Sequence, residues 1–360
     1  MIFRMNSRLV ALLKRPLLSG LLIAVTISVT SQNSDHLSKA KLAGVPFVSY
    51  NKSFGGIFGG MGCVYFPISK KDSISPASNV GLAFIVTTNK TWIVASFSKL
   101  YFREDRFRTT VAGGAGQQNF QYFHDNNIVP GYFVPYSTLT DFFYGEQTVR
   151  VISRIYAGLD YTYFKVQTSF ASDGADTTKR NYIALGIPLA FDSRDNVMNP
   201  EKGLFMNARL NRFDERLGSA TEYTKLDLDG SSYTALKAMH VVACKVSMST
   251  ALGAVPFEGQ TVVGGMVLRG YSEGMYRGDQ VYAIQSEYRW NFFKKWGLVA
   301  FVGAATAVTK NNAWSVEQIL PAGGAGIRYR MIEKIKVNVG FDAAVGKGDY
   351  GLYFRIGEAF

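Results

Sequence analysis

Cysteine and histidine are almost missing from this chain of 360 residues: Cys63 and Cys244, with His36, His124 and His240, are all it has. The two cysteines lie too far apart for a metal knuckle and are too few for a disulfide scaffold, so both read as unpaired wall residues. No His-x₃-His or Cys-x-x-Cys spacing offers a metal site, and no Gly-x-Ser-x-Gly elbow offers a nucleophile. Acidic pairs such as Asp214-Glu215 fall in expected connections. No enzyme, metal or cofactor is therefore expected. The stretch Phe54 to Gly62 has the glycine density of a phosphate-cradling loop but lacks its lysine and its following helix. Long apolar runs are missing too: beyond the N-terminal region none reaches the roughly eighteen residues of a spanning helix. In lipid only helices and closed barrels satisfy every backbone polar group, so a membrane form of this chain must be a β-barrel.

What is present points the same way. Arg4, Arg8, Lys14 and Arg15 precede the apolar run Leu17 to Ile27, and Val29-Thr30-Ser31 offers small residues for cleavage, so residues 1–31 read as a signal peptide. Its removal lowers the formal charge from +12 to +8. A moderately basic surface suits outer-membrane lipid and lipopolysaccharide phosphates, and export makes nucleic acid the least expected partner. Residues 32–44 read as a disordered tail and residues 45–360 as one barrel, for which 36 glycines, 20 tyrosines and 26 phenylalanines are a fitting composition.

The dominant pattern has period two, the mark of half-buried strands. Val80, Leu82, Phe84 and Val86 share one apolar face; Leu204, Met206, Ala208 and Leu210 alternate with Asn207, Arg209 and Asn211; Val337, Val339 and Phe341 alternate with Lys336, Asn338 and Asp342. Arginine and lysine cost about 2–4 kcal/mol facing lipid at mid-depth, so the polar face is assigned to a lumen. Turn signals recur at Ser69 to Asp72, Ser172 to Gly174, Arg194 to Asn196, Lys310 to Asn312 and Gly346 to Asp349. The expected fold is all-β, a transmembrane antiparallel barrel of about sixteen strands, with fourteen or eighteen still open. Residues 57–67 read as the first strand, loosened by Gly59, Gly60 and Gly62. The last strand carries Phe354, Ile356 and Phe360 on one face, which would make these the two sides of a weak seam.

Gly186 to Asn196, followed by Pro200 and Gly203, resembles the strand-turn-strand pattern of the bacterial surface antigen family, to which the BamA/TamA assembly barrels belong. Leu268-Arg269-Gly270-Tyr271 resembles that family's Val/Leu-Arg-Gly-Phe/Tyr motif at the tip of the sixth extracellular loop, and Ser286-Glu287-Tyr288-Arg289 the strand motif after it. The resemblance implies a loop folded into the barrel with its arginine pinned to acidic residues of the wall. Face parity permits this: Ala283, Gln285, Glu287 and Arg289 share the lumen side, so Glu287 can meet Arg269.

Two departures stand out. Where the family carries Phe-x-Asp-x-Gly, this chain has Phe301-Val302-Gly303, leaving Glu287 to carry most of the anchoring. Between the signal and the first strand there is too little chain for a polypeptide-binding (POTRA) domain, so a periplasmic or membrane partner is expected to supply that function. The resemblance implies a bacterial outer-membrane protein assisting insertion or translocation of polypeptides. A passive or lipid-handling channel, a barrel scaffold within a larger envelope complex and, remotely, a soluble basic β-protein are the alternatives.

Overall fold

The computed structural model describes residues 39–360 apart from 52–53, 125–131, 171–176, 266, 273, 294 and 310–317. The signal peptide at 1–31, residues 32–38 of the expected tail, and the turns at 172–174 and 310–312 lie outside the described residues. The strands are β1 (Lys41–Asn51), β2 (Gly55–Phe66), β3 (Ser78–Thr87), β4 (Trp92–Phe102), β5 (Phe107–His124), β6 (Tyr132–Ile152), β7 (Ile155–Phe170), β8 (Thr177–Asp192), β9 (Gly203–Phe213), β10 (Tyr223–Lys237), β11 (His240–Gly253), β12 (Thr261–Val263), β13 (Tyr276–Gly278), β14 (Gln280–Phe293), β15 (Trp296–Val308), β16 (Leu320–Ile332), β17 (Val337–Gly346) and β18 (Asp349–Ile356). Among the described residues sixteen of these form a closed antiparallel ring, and β12 and β13 form a separate ribbon. Chain neighbours pair throughout, except that β11 pairs β14 across the loop holding that ribbon. No described helix is long and apolar enough to cross a membrane.

Alternation decides which way each strand faces. Leu82, Phe84, Leu185, Ile187, Ile284 and Val302 are exposed on the outer face, while Asn207, Arg209, Asn211, Asp227, Lys245 and Glu287 are buried inside. This outer apolar band is the surface a bilayer would cover. Val302→Lys, at a site 65% exposed on that face, is expected to cost about 2–4 kcal/mol, read as a lowered urea midpoint in lipid vesicles. An unchanged midpoint would place the face away from hydrocarbon.

The first strand differs from expectation. β1 begins at Lys41, inside the stretch read as a disordered tail, and pairs β2 in continuous register from Lys41↔Tyr65 to Asn51↔Gly55. Gly59, Gly60 and Gly62 therefore lie on β2, one ladder in from the seam. Gly44 and Pro46 disguise β1 as a connection, yet an edge is where a strand tolerates proline.

The seam itself is slight. β1 and β18 share the single registered pair Asn51↔Gly351. Below it the two strands part. Phe354 and Ile356 point to the outer side of β18, opposite the lumenal Tyr353 and Arg355, yet both are buried. They join one apolar cluster with the inward-facing Ala43, Phe47, Ile57 and Met61 of β1 and β2, and Phe354 stacks on Phe47 at 6.0 Å. The final strand thus tucks inside the first. Phe360, expected on the same strand face, is not on the strand. β18 stops at Ile356, Gly357 turns at φ +89°, and Phe360 is buried in the lumen beside Tyr233 and Ala243.

The lumenal wall has two characters. From β9 to β11 it is lined by Asn, Arg, Lys, Asp and Ser; on β2 to β4 it is lined by Ile57, Met61, Cys63, Ile85, Ile93 and Phe97. The uniform polar lumen expected from the sequence fails on β2 to β4.

Candidate functional site

Residues 254–279 leave the rim between β11 and β14 and turn into the barrel. On one side the loop is tied to β7, β8 and β10: Glu258 accepts from Thr168 (2.7 Å) and Tyr182 (3.1 Å), and Lys225 Nζ donates to the Gly259 carbonyl at 3.1 Å. Its tip crosses to β14 through β18. Leu268, Arg269 and Tyr271 are each 1% exposed, so Leu268-Arg269-Gly270-Tyr271 is interior. Gln285 Nε2 donates to the Val267 carbonyl at 2.6 Å, and Tyr353 Oη accepts from the Gly270 amide at 2.8 Å. Tyr271 Oη donates to the Pro321 carbonyl at 2.7 Å, and Asp349 accepts from the Ser272 amide at 2.6 Å. Gly270 sits at φ +108°, a conformation L side chains rarely adopt. A Cβ there would also meet the Val345 carbonyl oxygen.

Arg269 is the centre of the attachment. Its Nη2 donates to Glu287 Oε2 and its Nη1 to Asp342 Oδ2, each at 2.7 Å, and the guanidinium lies over the Phe301 ring, 3.4 Å from its centroid. Each carboxylate is shared. Glu287 Oε1 accepts from Arg289 Nε at 2.8 Å. Asp342 takes Arg328 and Arg355 as well, and Arg328 continues to Glu358 Oε2 at 2.9 Å. Arg289 Nη2 reaches the Phe360 carbonyl at 2.9 Å and its Nη1 the Pro200 carbonyl at 3.4 Å. One alternating ion network therefore joins the loop tip, the β14 to β18 wall, the tucked residues 357–360 and the 193–202 turn. Charge-assisted pairs of this kind are strong when the geometry is fixed, and each member is costly to remove because its partners are buried.

The sequence-based site is thus extended and corrected. The structure brings Glu287 to Arg269, but Glu287 does not carry the anchoring alone. Asp342, three barrel strands along from Glu287, supplies a second carboxylate. Gly303 leaves no room for one: a Cβ there would lie 2.8 Å from Leu268 Cδ1 and from Gln285 Cγ. Arg328, Arg355 and Glu358 were missed; parity already put Asp342 on the lumenal face, and the same rule applied to Arg355 would have flagged it. Gly326 makes the space for this cluster, since an added Cβ would collide with Asp342 Oδ1. Gly326→Ala is accordingly expected to lower the unfolding temperature, whereas Gly62→Ala, with open space around it, should not. Equal shifts would show that crowding at Asp342 is not the cause. The described residues hold no cluster of His, Cys, Asp and Glu that could bind a metal ion; the arrangement is suited to fastening a loop.

The lumen is filled from both ends. Asn199 and Pro200 of the 193–202 turn are buried at the rim that carries Lys41 and Ile356, and between this turn and the wall a cavity of about 130 Å³ remains, bordered by Lys99, Glu146, Lys245 and Phe360.

A family model described as the Omp85 superfamily domain matches residues 75–360. Among solved structures, BamA from Haemophilus ducreyi lacking POTRA domains 1–3 superposes with a TM-score of 0.58 at 13% identity, covering 97% of this chain and 76% of that one. CdiB from Acinetobacter baumannii gives 0.57 at 12% identity, and CdiB from Escherichia coli 0.57 at 9%. Both cover 88% of this chain, which spans only 59% and 62% of their lengths. No curated protein matches the sequence.

Proposed function

Because this chain belongs to the Omp85 superfamily, we propose that it is an outer-membrane barrel that assists insertion or translocation of polypeptides, with the β1–β18 seam as its moving part. The observation that carries this reading is the seam: one registered pair at Asn51↔Gly351, against the ladder of its neighbour β17–β18, which runs from Val339↔Ile356 to Gly346↔Asp349. Below that pair no further β1–β18 register is formed among the described residues, and a strand edge with so short a ladder is the kind that accepts an incoming strand. The loop anchored through Arg269 braces the wall on the β18 side of this seam.

A cross-link tests it. Extending the antiparallel register by one step from Asn51↔Gly351 would set Tyr50 opposite Leu352. Changing both to cysteine, with Cys63 and Cys244 replaced by alanine, and joining them with a short bis-thiol reagent should stop assembly of dependent outer-membrane proteins in cells. Unlinked cysteine pairs should remain active. Normal client levels in the linked protein would sink the seam mechanism. A passive channel is the second reading, favoured by the charged inner wall of β9 to β11. Single-channel recording separates the two: large steady conductance only after removal of residues 264–278 would indicate a plugged pore.

A further inference from the structure

At the rim carrying Lys41 and Ile356, a vestibule of about 570 Å³ opens between the 193–202 turn and the wall from β10 to β17. That volume lies within the roughly 300–1,000 Å³ of sites that enclose ligands. Its sides are the inward-facing Ala235 and Val241, and its cations are Lys202, Lys237, Lys295, Arg328 and Arg330. Some are already neutralised. Lys295 pairs with Glu333 at 3.0 Å, and Arg328 is held by Asp342 and Glu358. The only acid on the lining, Glu201, is taken by Lys336 at 2.9 Å. Lys202, Lys237 and Arg330 remain. Among the described residues none of these three meets a carboxylate, and the Arg330 side chain donates to Asn338 Oδ1 at 3.1 Å.

We infer that this vestibule docks an acidic, extended segment of a second polypeptide. Uncompensated cations around a partly apolar cleft favour a chain that alternates carboxylates with aliphatic side chains, because complementary charge steers and registers the encounter. A lipid headgroup is the poorer occupant. The apolar sides at Ala235 and Val241 face inward from the ring, so a phosphate seated against them would have to draw its acyl chains away from the outer apolar band. The inference rests on the polypeptide-handling reading and names the chemistry of what that reading requires at this rim.

The experiment uses the full chain in nanodiscs of zwitterionic lipid and a fluorescent peptide of alternating glutamate and valine, with lysine–valine and serine–valine peptides of equal length beside it. The acidic peptide should bind saturably and weaken with salt. The double variant Lys202→Glu/Lys237→Glu, both sites being exposed and outside the ion network, should lose on the order of tenfold or more in affinity. Equal binding of the serine peptide, or an unchanged affinity in the double variant, would overturn the proposal. So would loss of peptide binding in wild-type protein when phosphatidylglycerol replaces the zwitterionic lipid, which would assign the cations to headgroups. The seam cross-link is scored separately: charge-selective binding with an inert cross-link leaves the docking site standing and removes the handling reading, and the reverse result removes only the docking site.

Discussion

Asp342→Ala is expected to be the most damaging single substitution in the barrel. The carboxylate is fully buried and accepts from Arg269, Arg328 and Arg355. Without it Arg269 keeps Glu287 and Arg328 keeps Glu358, but Arg355 has no other carboxylate within 4.0 Å among the described residues. Stranding a buried charge costs about 3–5 kcal/mol, and the upper end applies because Asp342 is shared by three buried guanidinium groups. The fall should appear in the urea midpoint and in loss of the compact, heat-modifiable band on gels. Adding Arg355→Met should recover part of it, since the orphaned cation is then gone. If Asp342→Ala alone left the midpoint unchanged, the network would carry no stability.

Arg269→Ala should rank second. Glu287 still has Arg289 and Asp342 still has Arg328 and Arg355, so the loss belongs near the lower end, about 3 kcal/mol. Its distinctive result is local: the tip between β12 and β13 should become cleavable by protease added outside. Arg269→Lys should behave much like alanine. The two arms that reach β14 and β17 at once belong to a planar fork, and a single ammonium cannot span both carboxylates in that geometry. Glu287→Ala combined with Arg269→Ala should show a coupling of about 0.5–3 kcal/mol. Additive losses would mean that the pair contributes nothing jointly.

Much of this is legible in the sequence. Period-two alternation over Leu204 to Leu210 and Gln280 to Trp290 fixes strands and faces because a strand's side chains must alternate, and Arg269 with Glu287 followed from motif and parity. Other features depend on information that a single strand does not contain. Asp342 reaches Arg269 only through the stagger of β14 to β17 around the ring. β1 carries Gly44 and Pro46, which read locally as punctuation although its pairing with β2 overrides them. Several hairpin turns escaped because they use no glycine: Arg103, Glu104, Asp105, Ser153 and Met239 take positive φ, where turn statistics favour glycine or asparagine. Phe360 shows how one residue decides an outcome. Alternation continued through Gly357 puts its ring towards lipid; the turn there puts it inside.

The two-sided apolar wall of β2 to β4 bears on what happens when such a barrel opens. Phe58, Val80, Leu82 and Phe84 face out while Ile57, Met61, Ile85 and Ile93 face in. Were the polar segment β9 to β11 beside the gap, swinging outward would drag Arg209 and Lys245 into hydrocarbon. The β1 and β2 side of the gap carries almost nothing a membrane would reject on either face, so a flap opening on that side would meet little solvation penalty on its inner surface, whereas β17 and β18 hold Asp342 and Arg355 in the ion network. Were the seam to open, the cheap side to move would be the one that begins at β1, and the ion network would hold the β18 side in place.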